Sequence, residues 1–251
     1  MTVSVIIPVG GDDDEWRSRA RNWIVTRYAT NYPDWELIEG RCGHPWSKGS
    51  ALADGVNRAT GDILVLADAD SYVPIDTLRQ AARIVATDPL SWVVPHGNVF
   101  RLKQEETVRV YSGQEARLGH TVRPHYRGPA GGGITILSRQ AWHTVGGVDP
   151  RYLGWGGEDL SFGWALNVLV GRHHRLGADF VHLWHPHPAP DLRGSPESEA
   201  LVAVYKAAWK TWKKSGDQEP MRTLIDERRA NESVAPDALY SDRHLPVRGG
   251  C

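Results

Sequence analysis

The stretch GDILVLADAD (residues 61–70) indicates the fold of this chain. Its apolar run, residues 63–67, has the length and composition of a strand that is buried on both faces, as in a parallel sheet. Asp68 and Asp70 follow directly. In an open α/β sheet, ligands bind at the carboxyl ends of the strands. The stretch therefore predicts a central strand that delivers two carboxylates to a binding site.

The spacing of apolar residues on either side predicts an alternation of strands and helices. Strands are expected at residues 3–9, 35–38, 91–95, 98–102, 134–137 and 178–183. Helices are expected at residues 16–28, 48–59, 75–87, 103–117, 138–145, 159–170, 198–214 and 221–229. This order predicts an α/β fold with a single Rossmann-like, mostly parallel sheet flanked by helices.

The composition changes after Pro190, where lysine- and tryptophan-bearing helical sequence replaces the alternating pattern. We therefore expect one α/β domain over residues 1–190, followed by a helical C-terminal extension over residues 191–251. The polar, Pro- and Gly-bearing residues 230–251 are expected to be loosely ordered.

Charge and cysteine content restrict the classes of partner and compartment. The 29 basic residues nearly balance the 30 acidic ones, and the net charge of −1 gives no electrostatic argument for nucleic acid or a membrane surface as a partner. Cys42 and Cys251 are expected to be free thiols. With no visible leader and no membrane segment among the apolar runs, we expect a cytoplasmic protein, whose oligomeric state the sequence leaves open.

A second polar stretch, GWGGED (residues 154–159), also has the properties of a binding site. Its glycines permit close backbone approach to a ligand, and Trp155 offers a flat apolar wall. Glu158 and Asp159 supply hydrogen-bond acceptors or a base at its rim. The alternative is a simple turn before an amphipathic helix. Together with the two aspartates after the central strand, the pattern favours a site for a polyhydroxylated substrate.

Histidines alternate with prolines in HLWHPHP (residues 182–188), directly after a strand-like run. Imidazole is a ligand that Mn²⁺ accepts beside carboxylates, and Asp68 and Asp70 are the oxygen ligands that Mg²⁺ or Mn²⁺ prefers. A polar surface loop stiffened by prolines would have the same pattern. Because both motifs occur in one chain, we expect a metal site that includes at least one of these histidines. The candidates are His182, His185 and His187.

Four further features are compatible with ligand contacts and with simpler roles. Lys48 begins a helix and could meet a phosphate or face water. Gly131–Gly133 enters a strand, where glycine lets the backbone pack tightly against a ligand. Glu39, at the end of the second strand, lies where a ligand could sit. Arg123–Arg127 could contact a diphosphate or an acceptor, although a solvated loop fits its composition better.

These motifs resemble those of nucleotide-sugar glycosyltransferases with the GT-A fold. Residues 3–9 and 61–70 look like the broad family 2 transferases. The segment 146–159, from Gly-Gly-Val-Asp to Trp-Gly-Gly-Glu-Asp, looks like the β-1,4-galactosyltransferase and polypeptide N-acetylgalactosaminyltransferase group. The resemblance spans residues 3–187 and implies a GT-A fold. The residues after Pro190 have no counterpart in these families.

The resemblance implies that Asp70 and His182 bind a divalent cation, Mn²⁺ or Mg²⁺, and that Asp68 contacts the ribose or reaches the metal through water. His185 falls where a phosphate contact is expected, and Pro8 and Val9 border the uracil of a UDP-sugar. The predicted metal ligands are Asp70, Asp68 and His182. The predicted donor-binding residues are Pro8, Val9, Glu39, Lys48, Asp68, Ala69 and His185.

In the same way, the resemblance implies that Glu158 holds sugar hydroxyls and that Asp159 is the general base. The residues expected to line the acceptor and sugar pocket are Gly132, Gly133, Trp155 and Gly157. The predicted reaction is transfer of a sugar from a nucleotide-sugar to an acceptor hydroxyl, with inversion because residue 159 is aspartate. The acceptor is open between a glycan, a protein and a modified nucleobase.

Three other functions compete with this prediction. A retaining glycosyltransferase is possible because the polypeptide-modifying relatives share the Trp-Gly-Gly-Glu signature. A non-catalytic protein that binds carbohydrate or nucleotide could use the same scaffold. A nucleotidyltransferase is disfavoured, because no phosphate-cradling glycine loop with a following lysine and helix lies near the first strand.

Overall fold

The computed structural model describes residues 2–10, 14–154, 156–186 and 195–234. The strands are β1 (Val3–Val9), β2 (Glu36–Arg41), β3 (Ile63–Ala67), β4 (Ser71–Tyr72), β5 (Trp92–Arg101), β6 (Tyr126–Arg127), β7 (Ile134–Ser138) and β8 (His174–His182). The helices are α1 (Glu15–Asn31), α2 (Lys48–Arg58), α3 (Ile75–Thr87), α4 (Gln104–Tyr111), α5 (Arg139–Thr144), α6 (Glu158–Leu169), α7 (Pro196–Ser215) and α8 (Glu219–Val234).

The strands form one sheet with the order β2-β1-β3-β7-β5-β8-β4, and β6 pairs with β5. The α/β class and the single sheet are confirmed. The sheet is mixed, however: β1 is parallel to β2 and β3, and β5 is parallel to β8, whereas β7 is antiparallel to both of its neighbours. Periodicity predicts burial on each face but not strand direction, so the sequence did not reveal this reversal.

Helices cover both faces of the sheet, which explains why the central strands are continuously apolar. Alternate residues of β3 enter different clusters: Val65 belongs to the cluster with α1 and α3, and Leu64 belongs to the cluster with α2, α5 and α6. Side chains alternate between the two faces of a strand, so each face of β3 is packed by one helical layer. The site residues that follow β3 therefore start from a strand held on both sides.

Several elements extend beyond their predicted ends. β5 is one strand rather than two, and register shifts next to His96 accommodate the interruption at Pro95 and Gly97. β2 continues through Glu39, so this residue lies inside a strand and not in the predicted loop. Part of the predicted solvated loop at 123–127 is β6, which pairs with β5.

The C-terminal helices complete the cluster on one face of the sheet. Tyr205 and Ala208 of α7 and Met221 and Ile225 of α8 are buried in it together with the apolar face of α6. Contrary to the expected loose tail from residue 230, α8 continues to Val234. Residues 235–251 lie outside the described ranges, and the domain boundary at 190 stays a prediction.

No helix in the described part of the chain combines the length and apolar character needed to cross a bilayer. The cytoplasmic location stays a prediction.

Arg228 of α8 joins this extension to the loop that leads into α6. Its side chain is 2% exposed and donates to the carbonyl oxygens of Val145, at 3.0 Å, and Gly146. It also donates to the hydroxyl of Tyr205 at 3.3 Å, and that hydroxyl donates to Asp149 Oδ2 at 3.0 Å. A buried cation and a buried carboxylate thus share one hydrogen-bonded network.

Replacing Arg228 with methionine should lower the free energy of unfolding by about 3–5 kcal/mol, because it removes one partner from a buried charged network. Urea denaturation measures the loss. Arg222→Met on the same helix is the control: Arg222 is 53% exposed, and we expect a change within about 0.5 kcal/mol. Equal stabilities for the two variants would contradict an integral role for α8.

Candidate active site

The site is a cleft at one end of the strands of the sheet. The carboxyl ends of β1, β3, β5 and β8 all meet there, because β7 reverses direction between β3 and β5. The cleft has a volume of about 1220 Å³ and is lined by residues from these strand ends and from the first turn of α6. This is the edge at which open α/β sheets bind ligands.

An aspartate and two histidines form a cluster in the cleft. Asp70 Oδ2 lies 3.1 Å from His185 Nε2 and 3.7 Å from His182 Nε2, and ligand atoms of the three residues lie within 4.8 Å of one another. The backbone holds them in place, since Leu183 N donates to Asp70 O at 2.8 Å and β4 pairs with the end of β8. One carboxylate and two imidazoles are a donor set that fits Mn²⁺.

The protonation states of this cluster also suit a cation. Burial raises the pKa of Asp70, but the neighbouring His182 and His185 outweigh this and hold its pKa well below the usual range. Burial lowers the pKa of His182 to about 4, with Asp70 opposing and Arg101 adding to the shift. At neutral pH, Asp70 is therefore ionised and His182 is neutral, the forms that bind metals.

Asp68 lies outside this three-residue cluster and pairs with Lys48 instead. Lys48, the first residue of α2, places Nζ 2.7 Å from Asp68 Oδ1 and 2.8 Å from Asp159 Oδ1. The side chain of Lys48 is only 12% exposed. The backbone N–H of Asp68 donates to Gly133 O at 2.9 Å. A single ammonium group thus connects the carboxylate after β3 with the carboxylate in the first turn of α6.

The two acids in the first turn of α6 have raised pKa values. Glu158 is 7% exposed, and burial followed by the charge of Asp159 raises its pKa. Burial also raises the pKa of Asp159, with the charge of Lys48 opposing the shift and that of Asp68 adding to it. The backbone N–H of Gly156 donates to Glu158 Oε2 at 3.0 Å, and the positive end of the helix dipole favours both carboxylates.

Glycines allow close packing around this turn. A Cβ on Gly132 would lie 2.7 Å from Asp159 Oδ2, so any side chain there would displace the carboxylate. Gly157 has φ +95°, and a Cβ there would lie 2.2 Å from Val202 Cγ2 on α7. The close approach at both glycines is to protein atoms rather than to a ligand, which the sequence did not distinguish.

Most predicted site residues come together in the cleft. Its lining includes Pro8, Val9, Lys48, Asp68, Ala69, Asp70, Gly132, Gly133, Gly157, Glu158, Asp159, His182 and His185. Glu39 is not part of this lining among the described residues; it pairs with Arg41 at 2.6 Å and with Arg21 at 3.8 Å. Trp155 and His187 lie outside the described residues.

The sequence did not single out several other residues that line the cleft. Arg101, at the end of β5, donates from Nη1 to His182 Nε2 at 2.9 Å. Phe180 and the buried His96 are in contact, with ring centroids 4.7 Å apart and the ring planes tilted by 46°. His96 directly follows the apolar start of β5, which is a signal that could have been noticed. Arg101 has no local signal, because its role depends on the pairing of β5 with β8.

Sequence comparisons define the class of protein. The model of the family described as "Glycosyl transferase family 2" matches residues 12–139, just over half of the chain, and that described as "N-terminal domain of galactosyltransferase" matches residues 119–176. With the sheet and the strand-end cleft, these matches define a glycosyltransferase with the GT-A fold. The chain belongs to glycosyl transferase family 2. No curated protein matches the sequence.

Solved structures support the same fold. The crystal structure of GalNAc-T7 with UDP, GalNAc and Mn²⁺ matches with a TM-score of 0.55 and 14% identity, over 95% of this chain and 57% of that one. The catalytic domain of Drosophila β1,4-galactosyltransferase 7, in complex with xylobiose, matches with a TM-score of 0.51 and 13% identity, over 80% of this chain and 79% of that one. At these identities the likeness extends to the fold alone.

Proposed function

We propose that this protein is a metal-dependent glycosyltransferase that moves a sugar from a nucleotide-sugar, a UDP-sugar by preference, to an acceptor hydroxyl with inversion at the anomeric carbon. The observation that supports this most directly is the sharing of one cleft by an Asp/His cluster and the two carboxylates in the first turn of α6. Glycosyl transfer needs both a neutralised leaving diphosphate and a base for the acceptor hydroxyl.

Asp70, His182 and His185 would hold the cation. Their ligand atoms already lie within 4.8 Å of one another, and the ionised aspartate and neutral imidazole are the protonation states required. When bound there, Mn²⁺ supplies Lewis-acid stabilisation of charge on the departing diphosphate. The presence of UDP and Mn²⁺ in the GalNAc-T7 structure is consistent with this assignment.

Asp159 would accept the proton of the acceptor hydroxyl. Its pKa is raised, which brings a carboxylate closer to the operating pH and so strengthens it as a base. Lys48 keeps it from being protonated too early, since the ammonium group 2.8 Å away favours the ionised form. Glu158, next to it and almost fully buried, would accept hydrogen bonds from the sugar hydroxyls.

Turnover of nucleotide-sugar donors with and without Mn²⁺ tests the function. Release of the nucleoside diphosphate measures either hydrolysis of the donor or transfer of its sugar. Donor binding without any turnover would favour the non-catalytic alternative. NMR of the product distinguishes inversion from retention by its anomeric configuration. Mass spectrometry of an acceptor pool from the source then identifies whether a glycan, a protein or a nucleobase is modified.

The Lys48→Met variant should shift the acid limb of the kcat–pH profile upward by about 1–3 pH units. Loss of the ammonium charge raises the pKa of Asp159, and a base must be deprotonated to act. As the pH is lowered, activity is therefore lost at a higher pH in the variant than in the wild type. The exposed Lys103 lies outside the cleft lining among described residues, and Lys103→Met should leave the profile unchanged. An unshifted limb in Lys48→Met would contradict the pairing of Lys48 with the base.

A further inference from the structure

A small cavity adjoins the cleft beside the ion pair of Lys48 and Asp159. Its volume is about 10 Å³, and Lys48, Asp68 and Asp159 line both this cavity and the cleft. The rest of its lining is mainly apolar and includes residues of β3, β7, α2 and α6. The cavity therefore lies between the sheet and the two helices whose first turns carry the ion pair.

Thr135 is the residue of β7 that faces this cavity. On the same strand, Leu137 belongs to the cluster with α2, α5 and α6, whereas Ile134 and Ile136 belong to the cluster on the other face. Side chains alternate along a strand, so Thr135 points towards α2 and α6. Its register partner on β3, Leu66, packs in the same layer. A hydroxyl group thus lies among apolar side chains.

The hydroxyl of Thr135 is buried without a partner. The residue is 2% exposed, and Oγ1 forms no hydrogen bond with any residue that the structure describes. Removing a hydroxyl from water costs free energy unless a new hydrogen bond replaces the one that is lost. Valine has nearly the same shape and would avoid this cost. The hydroxyl therefore indicates a polar partner inside the cavity.

The ammonium group of Lys48 has one donor left for such a partner. It carries three N–H groups, and Asp68 Oδ1 at 2.7 Å and Asp159 Oδ1 at 2.8 Å accept two of them. No third acceptor is found within the described ranges. A buried water molecule needs about 10–15 Å³ and two to four polar partners. The cavity meets the lower limit of this volume and is bordered by the hydroxyl, the ammonium group and two carboxylates.

We propose that the cavity holds one ordered water molecule, which accepts a hydrogen bond from Lys48 and shares another with the hydroxyl of Thr135. Thr135 is then a positioning residue: it touches neither the substrate nor the reacting atoms, and it acts through the water on Lys48 and Asp159. The catalytic part of this inference rests on the proposed function, in which Asp159 is the base.

The water fixes the ion pair from the side of the sheet. The ammonium group of Lys48 ends a flexible four-carbon chain, so its position depends on the groups that it bonds. Loss of one of these groups lets Lys48 shift, and Asp159 shifts with it because the two side chains are 2.8 Å apart. A small displacement of a catalytic group is enough to lower kcat.

Crystal structures and steady-state kinetics of matched variants test the site. The wild type should show a water within hydrogen-bonding distance of Thr135 Oγ1 and Lys48 Nζ. Thr135→Val should lose this water and lower kcat by about tenfold, with the KM of the donor within about threefold of wild type. Thr135→Ser should keep the water and retain kcat within about threefold.

Thermal melts of the same variants separate positioning from packing. Thr135→Ser removes a buried methyl group, so it should lower the Tm more than Thr135→Val does. The more stable variant is therefore expected to be the less active one. Thr77→Val is the matched control: Thr77 is a buried threonine on α3 and is absent from the described linings of the cleft and the cavity, so kcat should be unchanged.

A wild-type structure without this water overturns the inference. So does a kcat of Thr135→Val equal to that of wild type, and the proposed function then stands. A loss of kcat in Thr135→Ser as large as that in Thr135→Val assigns the effect to packing and also overturns it. A water that is present in wild type and lost in Thr135→Val, in a protein that turns over no nucleotide-sugar, supports the water site and rejects the proposed function. If Thr135→Val does not fold, the structures of wild type and Thr135→Ser decide.

Discussion

Replacing Asp159 with asparagine is expected to lower kcat by about 10²–10⁴-fold, the usual contribution of a general base. The substitution keeps the shape of the side chain beside Gly132 but removes the group that accepts a proton. The Asp70 cluster is formed by other elements, the ends of β3 and β8, so it should persist. Binding of Mn²⁺ and of UDP should therefore remain within a few-fold of wild type, which separates a chemical defect from a binding defect.

Single-turnover kinetics with saturating donor measures this effect without interference from product release. Asp62→Asn is a matched control, since Asp62 is an exposed carboxylate that precedes β3 at the opposite edge of the sheet. It should retain wild-type activity. Undiminished transfer by Asp159→Asn would reject Asp159 as the base and leave Glu158 as the next acid to test.

The second large effect is expected for Asp70. Among the described residues, Asp70→Asn removes the only carboxylate of the Asp/His cluster, and most of the affinity for Mn²⁺ should be lost with it. Because a bound cation contributes several kcal/mol of charge stabilisation in the transition state, activity should fall on the order of 10³-fold. Removal of metal from the wild-type protein with a chelator should have the same effect, and added Mn²⁺ should reverse it.

Two histidine variants on the same strand provide a matched comparison for the metal role of this cluster. His182→Ala should also lose Mn²⁺ affinity, measured by titration or electron paramagnetic resonance. His174→Ala, at the exposed start of the same strand β8, should not. Full activity of Asp70→Asn in the presence of chelator would reject the metal role of the cluster and with it the proposed mechanism.

Much of the fold was predictable from short stretches of sequence. The apolar run of β3 ends at Asp68 and Asp70, and both lie in the cleft as expected. The acid-bearing start of α6, His182 at the end of β8 and His185 just after it reach the same cleft. The buried face of a strand or helix and the start of a helix are both indicated by residues close together in the chain. Such residues form a periodic pattern that can be recognised in the sequence. The strand-end position of a ligand site follows from the α/β class.

Features that depend on distant pairing were not predictable. β7 is antiparallel to β3, and β5 is one bulged strand, because hydrogen bonding with neighbouring strands sets direction and register. The same pairing puts Arg101 next to His182, its register partner on β8. Glu39 was misplaced because β2 follows β1 for longer than its own apolar run extends.

The two aspartates after β3 illustrate the division most clearly. Sequence alone indicates that both belong to the site, since an acidic pair after a buried strand points to a cation or a polar ligand. Their different partners follow from tertiary structure: Asp68 meets Lys48 of α2, whereas Asp70 meets His182 at the end of β8 and His185 just after it. Residue types and their spacing are local features of the sequence. The group that each aspartate faces, however, comes from an element far along the chain. Sheet register and helix packing therefore decide which carboxylate faces the ammonium group of Lys48 and which one faces the two histidines.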